Sequence, residues 1–238
     1  MRPIYFYHVP RTGGRSFTRA VLSQFEDLDQ VWGRCHGSRG EVVVEIEGKK
    51  IVPWHGAPPI SDFYYSWSHS LAHSVKIPKG CFTMTILRDP VDRFISRARD
   101  LKKHEQLGNL LPGNPSTVDH QLGVLLRKGL LGAARACLPG RERLCFEQLY
   151  HFSPTGDIDE AIEMMKGLSY VFRIEKYEEG LGDLRELLCL ELPHLHLIDK
   201  DIPKETYREV ATELTPQVIE ELREMFIPEY KLLERLNL

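Results

Sequence analysis

Ile4-Tyr5-Phe6-Tyr7-His8-Val9-Pro10-Arg11-Thr12-Gly13-Gly14-Arg15-Ser16-Phe17 changes character twice within one short stretch. Ile4–Val9 is apolar and β-prone and stops at a proline, the pattern of a strand buried on both faces of a parallel sheet. Ser16–Phe25 then reads as a helix whose apolar face is Phe17, Ala20, Val21 and Leu22. Between them lies a tight loop of two glycines, two arginines and two hydroxyls. A helix N-terminus exposes unpaired N–H groups and about half a positive charge. Gly13 and Gly14 let a backbone come close to an anion, while Arg11, Arg15, Thr12 and Ser16 add donors. Such a strand–loop–helix is how proteins grip phosphates. A plain Gly-Gly turn between a strand and a helix would have the same outline.

A second stretch repeats the design. Phe82-Thr83-Met84-Thr85-Ile86-Leu87-Arg88-Asp89-Pro90-Val91-Asp92-Arg93-Phe94-Ile95-Ser96 runs strand, turn, helix. Asp89 suits a helix N-cap and Pro90 the first helical position, with the helix extending to Lys103. Arg88 falls at the strand end, the edge where open α/β sheets bind ligands. Ser96 falls about two turns into the helix, on Arg88's side of it. A third short strand is expected over Tyr170–Ile174, and a hairpin around Glu47-Gly48-Lys49. Helices are expected over Thr117–Lys128, Glu142–Phe152, Asp157–Gly167 and Tyr177–Cys189, with one or two more from Pro216 to Leu236. Asp157 and Glu160 form a capping-box pair. The stretch from Pro53 to Ser74 is aromatic and loop-rich, and Gly108–Pro115 and His194–Pro203 read as loops. The fold class is α/β, with a small parallel sheet flanked by helices.

The 238 residues suffice for one α/β domain spanning the chain, with a core that needs no disulfide or metal. A formal charge of −3 argues against general nucleic-acid binding, so any anion site must be local. The five cysteines (Cys35, Cys81, Cys137, Cys145, Cys189) are odd in number and lack CxxC spacing, as expected of reduced thiols rather than disulfides or structural zinc. No apolar run approaches the roughly 18 residues a membrane span needs. With Met1 taken as the native start, no leader precedes the first strand and a cytoplasmic location is expected.

Together the two stretches resemble the cofactor signature of sulfotransferases that use 3′-phosphoadenosine 5′-phosphosulfate (PAPS). "HVPRTGGRSF" is similar to the loop that holds the 5′-phosphosulfate, and "TILRDPVDRFISR" to the element that holds the 3′-phosphate. The carbohydrate group, with heparan sulfate 2-O-sulfotransferases and bacterial relatives, is the nearest in flavour. The resemblance covers about Ile4–Phe25 and Phe82–Arg99 and is faint around Val171–Leu181. It implies a three-layer, P-loop-NTPase-like sulfotransferase fold. It also implies that Arg11, Thr12, Gly13, Gly14, Arg15, Ser16 and Phe17 surround the 5′ end, and that Arg88 and Ser96 hold the 3′-phosphate. Arg11 stands where many relatives carry lysine, and Arg15 where a small hydroxyl residue is common. Arginine keeps the charge and forks onto two oxygens but is a poor proton donor, so Arg11 would stabilise charge rather than deliver a proton.

Sulfuryl transfer needs a base for the acceptor hydroxyl, and histidine suits that role near neutral pH. In the carbohydrate group a histidine ahead of the 3′-phosphate strand serves. Here that region reads Ser66-Trp67-Ser68-His69-Ser70-Leu71-Ala72-His73-Ser74. Spacing alone does not separate His69 from His73; His69 has the more polar setting, and His55 stands third. Two histidines at i and i+4 without a third ligand are a weak metal signal, so no metal is expected. Trp54, Tyr64, Tyr65 and Trp67 are candidates for core or for stacking on an acceptor. Arg97, Arg99, Lys102 and Lys103 form a basic helix face, and Lys200 and Lys204 lie in a late loop.

The expected activity is transfer of the sulfuryl group from PAPS to the hydroxyl of a carbohydrate or small alcohol, leaving 3′,5′-ADP, without nucleic-acid or membrane partners. A P-loop-like kinase is the competing enzyme reading; the lysine of GxxxxGK(S/T) is missing, as is a clear magnesium carboxylate. A non-catalytic nucleotide-binding scaffold is the competing reading of another class.

Overall fold

A computed structural model describes residues 2–24, 44–46, 48–53, 63–106, 117–138, 140–192 and 210–238. Trp54, His55, Lys200, Lys204, Cys35 and the two expected loops at Gly108–Pro115 and His194–Pro203 lie outside, or almost wholly outside, the described residues. Six strands form one sheet: β1 (Ile4–Tyr7), β2 (Val44–Ile46), β3 (Lys49–Pro53), β4 (Tyr65–Ser68), β5 (Phe82–Leu87) and β6 (Tyr170–Arg173). The order across it is β2-β3-β4-β1-β5-β6, with β2 antiparallel to β3 and every other pair parallel.

The helices are α1 (Gly14–Leu22), α2 (Pro90–Gln106), α3 (Val118–Leu126), α4 (Gly129–Cys137), α5 (Glu147–Phe152), α6 (Ile158–Lys166), α7 (Tyr177–Leu188), α8 (Pro216–Met225) and α9 (Ile227–Arg235). Side chains alternate across a strand, and β1 uses both faces. Ile4 and Phe6 pack with Met84, Ile86 and Phe172 beneath α1 and α7. Tyr5 and Tyr7 join Leu87 and Val91 in a larger core that takes in the inner faces of α2 to α6, α8 and α9. The chain is therefore α/β, its sheet flanked by helices on both faces.

Several elements differ from the pattern read in the sequence. β4 runs through the stretch expected to be loop. Its Tyr65 and Trp67 fill one core while Ser66 and Ser68 face the other side, where Tyr5 Oη and Ser68 Oγ are 2.7 Å apart. The serines break the apolar run that a strand buried on both faces normally shows. The helix expected over Glu142–Phe152 is split into a 3₁₀ turn at Glu142–Leu144 and α5, and Arg93 donates to the Cys145 carbonyl between them. α4, unassigned from the sequence, begins at Gly129, whose φ of 77° only glycine adopts readily. The hairpin around Gly48, the cap Asp157 (accepting from Glu160 N at 2.8 Å) and the Thr215-Pro216 start of α8 match expectation. Glu160 does not close a capping box, because its carboxylate is taken by Ser153 and Thr155.

What positions the site is the order of strands. The strand that follows β1 and α1 in the chain is β2, at one edge of the sheet; the strand that follows β5 is β6, at the other edge. Connections that part in this way leave a crevice beyond the carboxyl ends of the two strands. Both stretches singled out in the sequence open into it.

Candidate functional site

Three strand ends meet at this edge. Tyr7 of β1 is in register with Ser68 of β4 on one side and Thr85 of β5 on the other. His8 N–H donates to Ser68 O at 3.0 Å, extending the β1–β4 ladder by one residue. The residues that follow are His69, the 11–16 loop and Arg88.

The loop after β1 is built from special backbone angles. Arg11 has φ 69°, an uncommon left-handed conformation for a residue with a side chain. Thr12 is fully buried and its hydroxyl donates to Val9 O at 2.8 Å, closing the turn. Gly13 caps α1 in the left-handed region without a side-chain hydrogen bond, and a Cβ there would run into Ile174 Cδ1. Gly14 carries the imidazole of His8 directly on its Cα: an added Cβ would lie 2.1 Å from His8 Nε2. The first N–H groups of α1 have no acceptor inside the helix.

The structure sorts the residues expected at the 5′ end. Arg15 is exposed and Ser16 half-buried at the start of α1. Thr12 is spent on the loop itself. Phe17 is placed in the core, its ring 5.2 Å from that of Phe6 and its N–H on Gly13 O. Arg11 does not point along α1. The left-handed turn sends its side chain across to α2, where Nε donates to Ser96 Oγ at 3.1 Å and Nη1 pairs with Asp100 Oδ1 at 3.1 Å. Arg11 and Ser96, expected at opposite ends of a nucleotide, are neighbours.

Arg88 joins them, its Nη1 donating to Arg11 O at 3.3 Å. Its guanidinium is half-buried, and among the described residues no carboxylate lies within ion-pair distance of it. Nε is buried and has no acceptor among the described residues. Burial pulls its pKa down, Asp92, Glu175 and Asp89 pull it up, and Arg11 opposes them. The other arginines of α2 are differently placed. Arg93 is wholly buried against Glu147, and Arg97 lies among Glu147, Asp119 and Asp100. Lys102 pairs with Glu213 at 2.8 Å. Two of the four members of the basic face read in the sequence, Arg97 and Lys102, are thus ion-paired.

His69 and His73 are both exposed, at the end of β4 and in the 3₁₀ turn Ala72–Ser74. They differ in how they are held. His69 Nδ1 is 2.8 Å from His8 O, and its ring lies 4.5 Å from that of His8 and 5.3 Å from Trp67. A carbonyl can only accept, so Nδ1 donates in this bond, and in the neutral ring Nε2 is the basic nitrogen.

Three residues of the site carry no motif. Gln148 holds both backbone groups of Arg88, Glu229 holds Gln148, and His151 is buried on α5 within electrostatic reach of His69 and His73. Gln148 and His151 read in sequence as ordinary members of a helix, and Glu229 as a surface acid of the last one. Among the described residues, no group of three or more His, Cys, Asp or Glu side chains is placed to hold a metal ion, and no helix is long and apolar enough to cross a membrane. No protein-family model matches the chain, and no curated protein matches it significantly.

Proposed function

We propose that this chain is a PAPS-dependent sulfotransferase acting on a hydroxyl of a carbohydrate or small alcohol, built on the P-loop-like fold of that family. The observation that carries the reading is Arg88: a half-buried cation at the β1/β5 crevice, without an ion-pair partner among the described residues, its Nε buried and unsatisfied. A buried donor on a charged group is costly to leave unpaired. A bound phosphate at that point removes the cost, and Ser96 and Arg11 stand beside it to share the anion.

PAPS, when bound, supplies a sulfuryl group whose bond to the bridging phosphate oxygen breaks as the acceptor oxygen bonds to sulfur, leaving 3′,5′-ADP. The chain's part is placement and charge. Arg88, Arg11 and Ser96 hold the 3′-phosphate that separates this nucleotide from ADP and ATP. The opening turn of α1 and Arg15 face the 5′ end, where negative charge grows on the departing phosphate. His69 takes the acceptor's proton on Nε2, with Nδ1–H anchored on His8 O to keep the ring and tautomer fixed. Arg11 moves from the 5′ end, where its sequence position suggested it, to the wall of the 3′-phosphate site.

Calorimetry with 3′,5′-ADP, ADP and ATP tests the assignment, with Arg88→Ala alongside. The expected result is binding that depends on the 3′-phosphate and falls at least tenfold in the variant, the worth of one charged hydrogen bond. Preference for ATP, or equal affinity of wild type and variant, would sink the reading.

A further inference from the structure

Arg88 N and O are the first backbone groups beyond β5, where the ladder to β6 has ended: the last pair in register is Leu87 with Arg173. Neither group is left to solvent. Arg88 N–H donates to Gln148 Oε1 at 2.7 Å and Arg88 O accepts from Gln148 Nε2 at 2.9 Å. One side-chain amide thus takes the place of a neighbouring strand for a single residue. Gln148 is wholly buried. Its second amide hydrogen faces Glu229 Oε2 at 3.4 Å, while Glu229 Oε1 accepts from the backbone N–H of Gln148 at 2.7 Å and of Leu149 at 3.1 Å. A flipped amide would set Oε1 against both the Glu229 carboxylate and the Arg88 carbonyl, so the amide has one allowed orientation.

Glu229 is itself buried at the N-terminus of α5, where helix geometry favours an anion, with Arg93 Nε 4.0 Å away. The next residue, Tyr230, donates its hydroxyl to Asp89 Oδ2 at 2.9 Å. Adjacent residues of α9 therefore support the two groups that flank Arg88, the cap of α2 and the amide from α5. An apolar side chain of Gln148's length would fill the space but leave Arg88 N–H and Arg88 O without these partners.

We infer that Gln148 is a positioning residue for recognition of the 3′-phosphate, fixing the direction in which Arg88 leaves β5, with Glu229 as the anchor that orients Gln148. The inference rests on the reading of Arg88 as the 3′-phosphate receptor. Gln148 touches no ligand and acts only through Arg88, so it sets selectivity for the 3′-phosphate and not affinity for the rest of the nucleotide.

The test compares 3′,5′-ADP with 5′-AMP, which lacks the 3′-phosphate, by calorimetry on wild type, Gln148→Met, Arg88→Ala and the double variant. Methionine keeps the length and removes both hydrogen bonds. The expected result is about tenfold weaker binding of 3′,5′-ADP by Gln148→Met, 5′-AMP within twofold of wild type, and no further loss when Gln148→Met is added to Arg88→Ala. Equal losses for the two nucleotides, or an undiminished effect in the Arg88→Ala background, would overturn the inference while leaving the assignment of Arg88 intact. A wild type indifferent to the 3′-phosphate overturns that assignment and this inference with it. Should Gln148→Met not fold, the side-chain amide signal of Gln148 in wild-type ¹⁵N–¹H spectra decides. It moves with 3′,5′-ADP and not with 5′-AMP if the relay is real, and is silent to both if it is not.

Discussion

His69 Nδ1 stands 2.8 Å from the carbonyl oxygen of His8, and that one bond separates two histidines that the sequence left side by side. The carbonyl belongs to the residue that carries β1 into the phosphate loop, so the loop and the ring are tied together. His73 has no such tie to β1: its 3₁₀ turn is closed by Ser74 and Leu71 instead.

His69→Asn separates tether from base, since the asparagine amide can still donate to His8 O but has no nitrogen equivalent to Nε2. The expected loss of sulfuryl transfer is about 10²- to 10⁴-fold, the usual range for removing a general base. Affinity for 3′,5′-ADP should change less than threefold, roughly what one weak hydrogen bond is worth. Radiolabelled PAPS and a panel of sugar and alcohol acceptors provide the assay, with His73→Ala expected to keep most activity. Turnover unchanged in His69→Asn would remove this residue from the chemistry.

The parts of the site that were legible in the sequence are those whose signal is local. Asp89-Pro90 announces a helix start within two residues, and Asp89 Oδ1 indeed accepts from Asp92 N at 2.9 Å. β1 announces itself by an unbroken apolar run, and β5 by an apolar run interrupted only by the β-prone Thr83 and Thr85. The junctions that bring distant segments together were not legible. Nothing near Arg11 signals a left-handed backbone that turns its guanidinium to α2. The Gly13-Gly14 pair suggested room for a phosphate, and the structure adds a second demand, the His8 ring lying on Gly14. Gln148 is 60 residues from Arg88 and 81 from Glu229, so no spacing rule connects them.

Gly14→Ala measures that second demand. The new methyl would sit 2.1 Å from His8 Nε2 and 2.2 Å from Cδ2, and a ring stacked on Phe6 at 5.0 Å has little freedom to retreat. A destabilisation of about 1–3 kcal/mol is expected, as for other overpacked sites. In a His8→Ala background the space exists, and the added cost of Gly14→Ala should fall by at least about 1 kcal/mol. Urea unfolding of the four proteins gives the coupling; strict additivity would show that His8 is not what keeps residue 14 a glycine.

The backbone of Arg11 offers a different comparison. Arg11→Ala and Arg11→Gly lose the same contacts with Ser96 and Asp100, but only alanine must still hold φ near 69° with a Cβ. The glycine variant should therefore be the more stable by about 1 kcal/mol. Both should bind 3′,5′-ADP more weakly than wild type by a similar factor, at least about fivefold, the worth of one charge-assisted hydrogen bond. Denaturant midpoints and calorimetry on the same samples separate the two effects, and equal stability of the pair would mean that the loop relaxes out of the left-handed region.

His151 gives the fold an acid-sensitive point next to the proposed base. It is 2% exposed on α5, and its Nε2 has no hydrogen-bond partner among the described residues. Burial first, then the nearby His69 and His73, hold its pKa down at about 3. The folded chain keeps it neutral where the unfolded chain, with a value of about 6.5, takes up a proton. Its contribution is therefore complete above pH 6.5 or so and is lost as the pH falls toward 3, at up to about 1.4 kcal/mol per unit. Glu229, whose carboxyl burial pushes up, works in the opposite sense, so the wild-type slope is a sum of the two. His151→Phe removes the histidine's share and leaves that of Glu229. Urea midpoints from pH 7.5 to pH 5 should fall less steeply in the variant, by about 1 kcal/mol per unit near pH 5. Parallel curves would mean that His151 accepts a proton in the folded state, through an opening of α5 against the Ala72–Ser74 turn. A ring within electrostatic reach of His69 would then be charged under mildly acidic conditions, and transfer activity would fall with it.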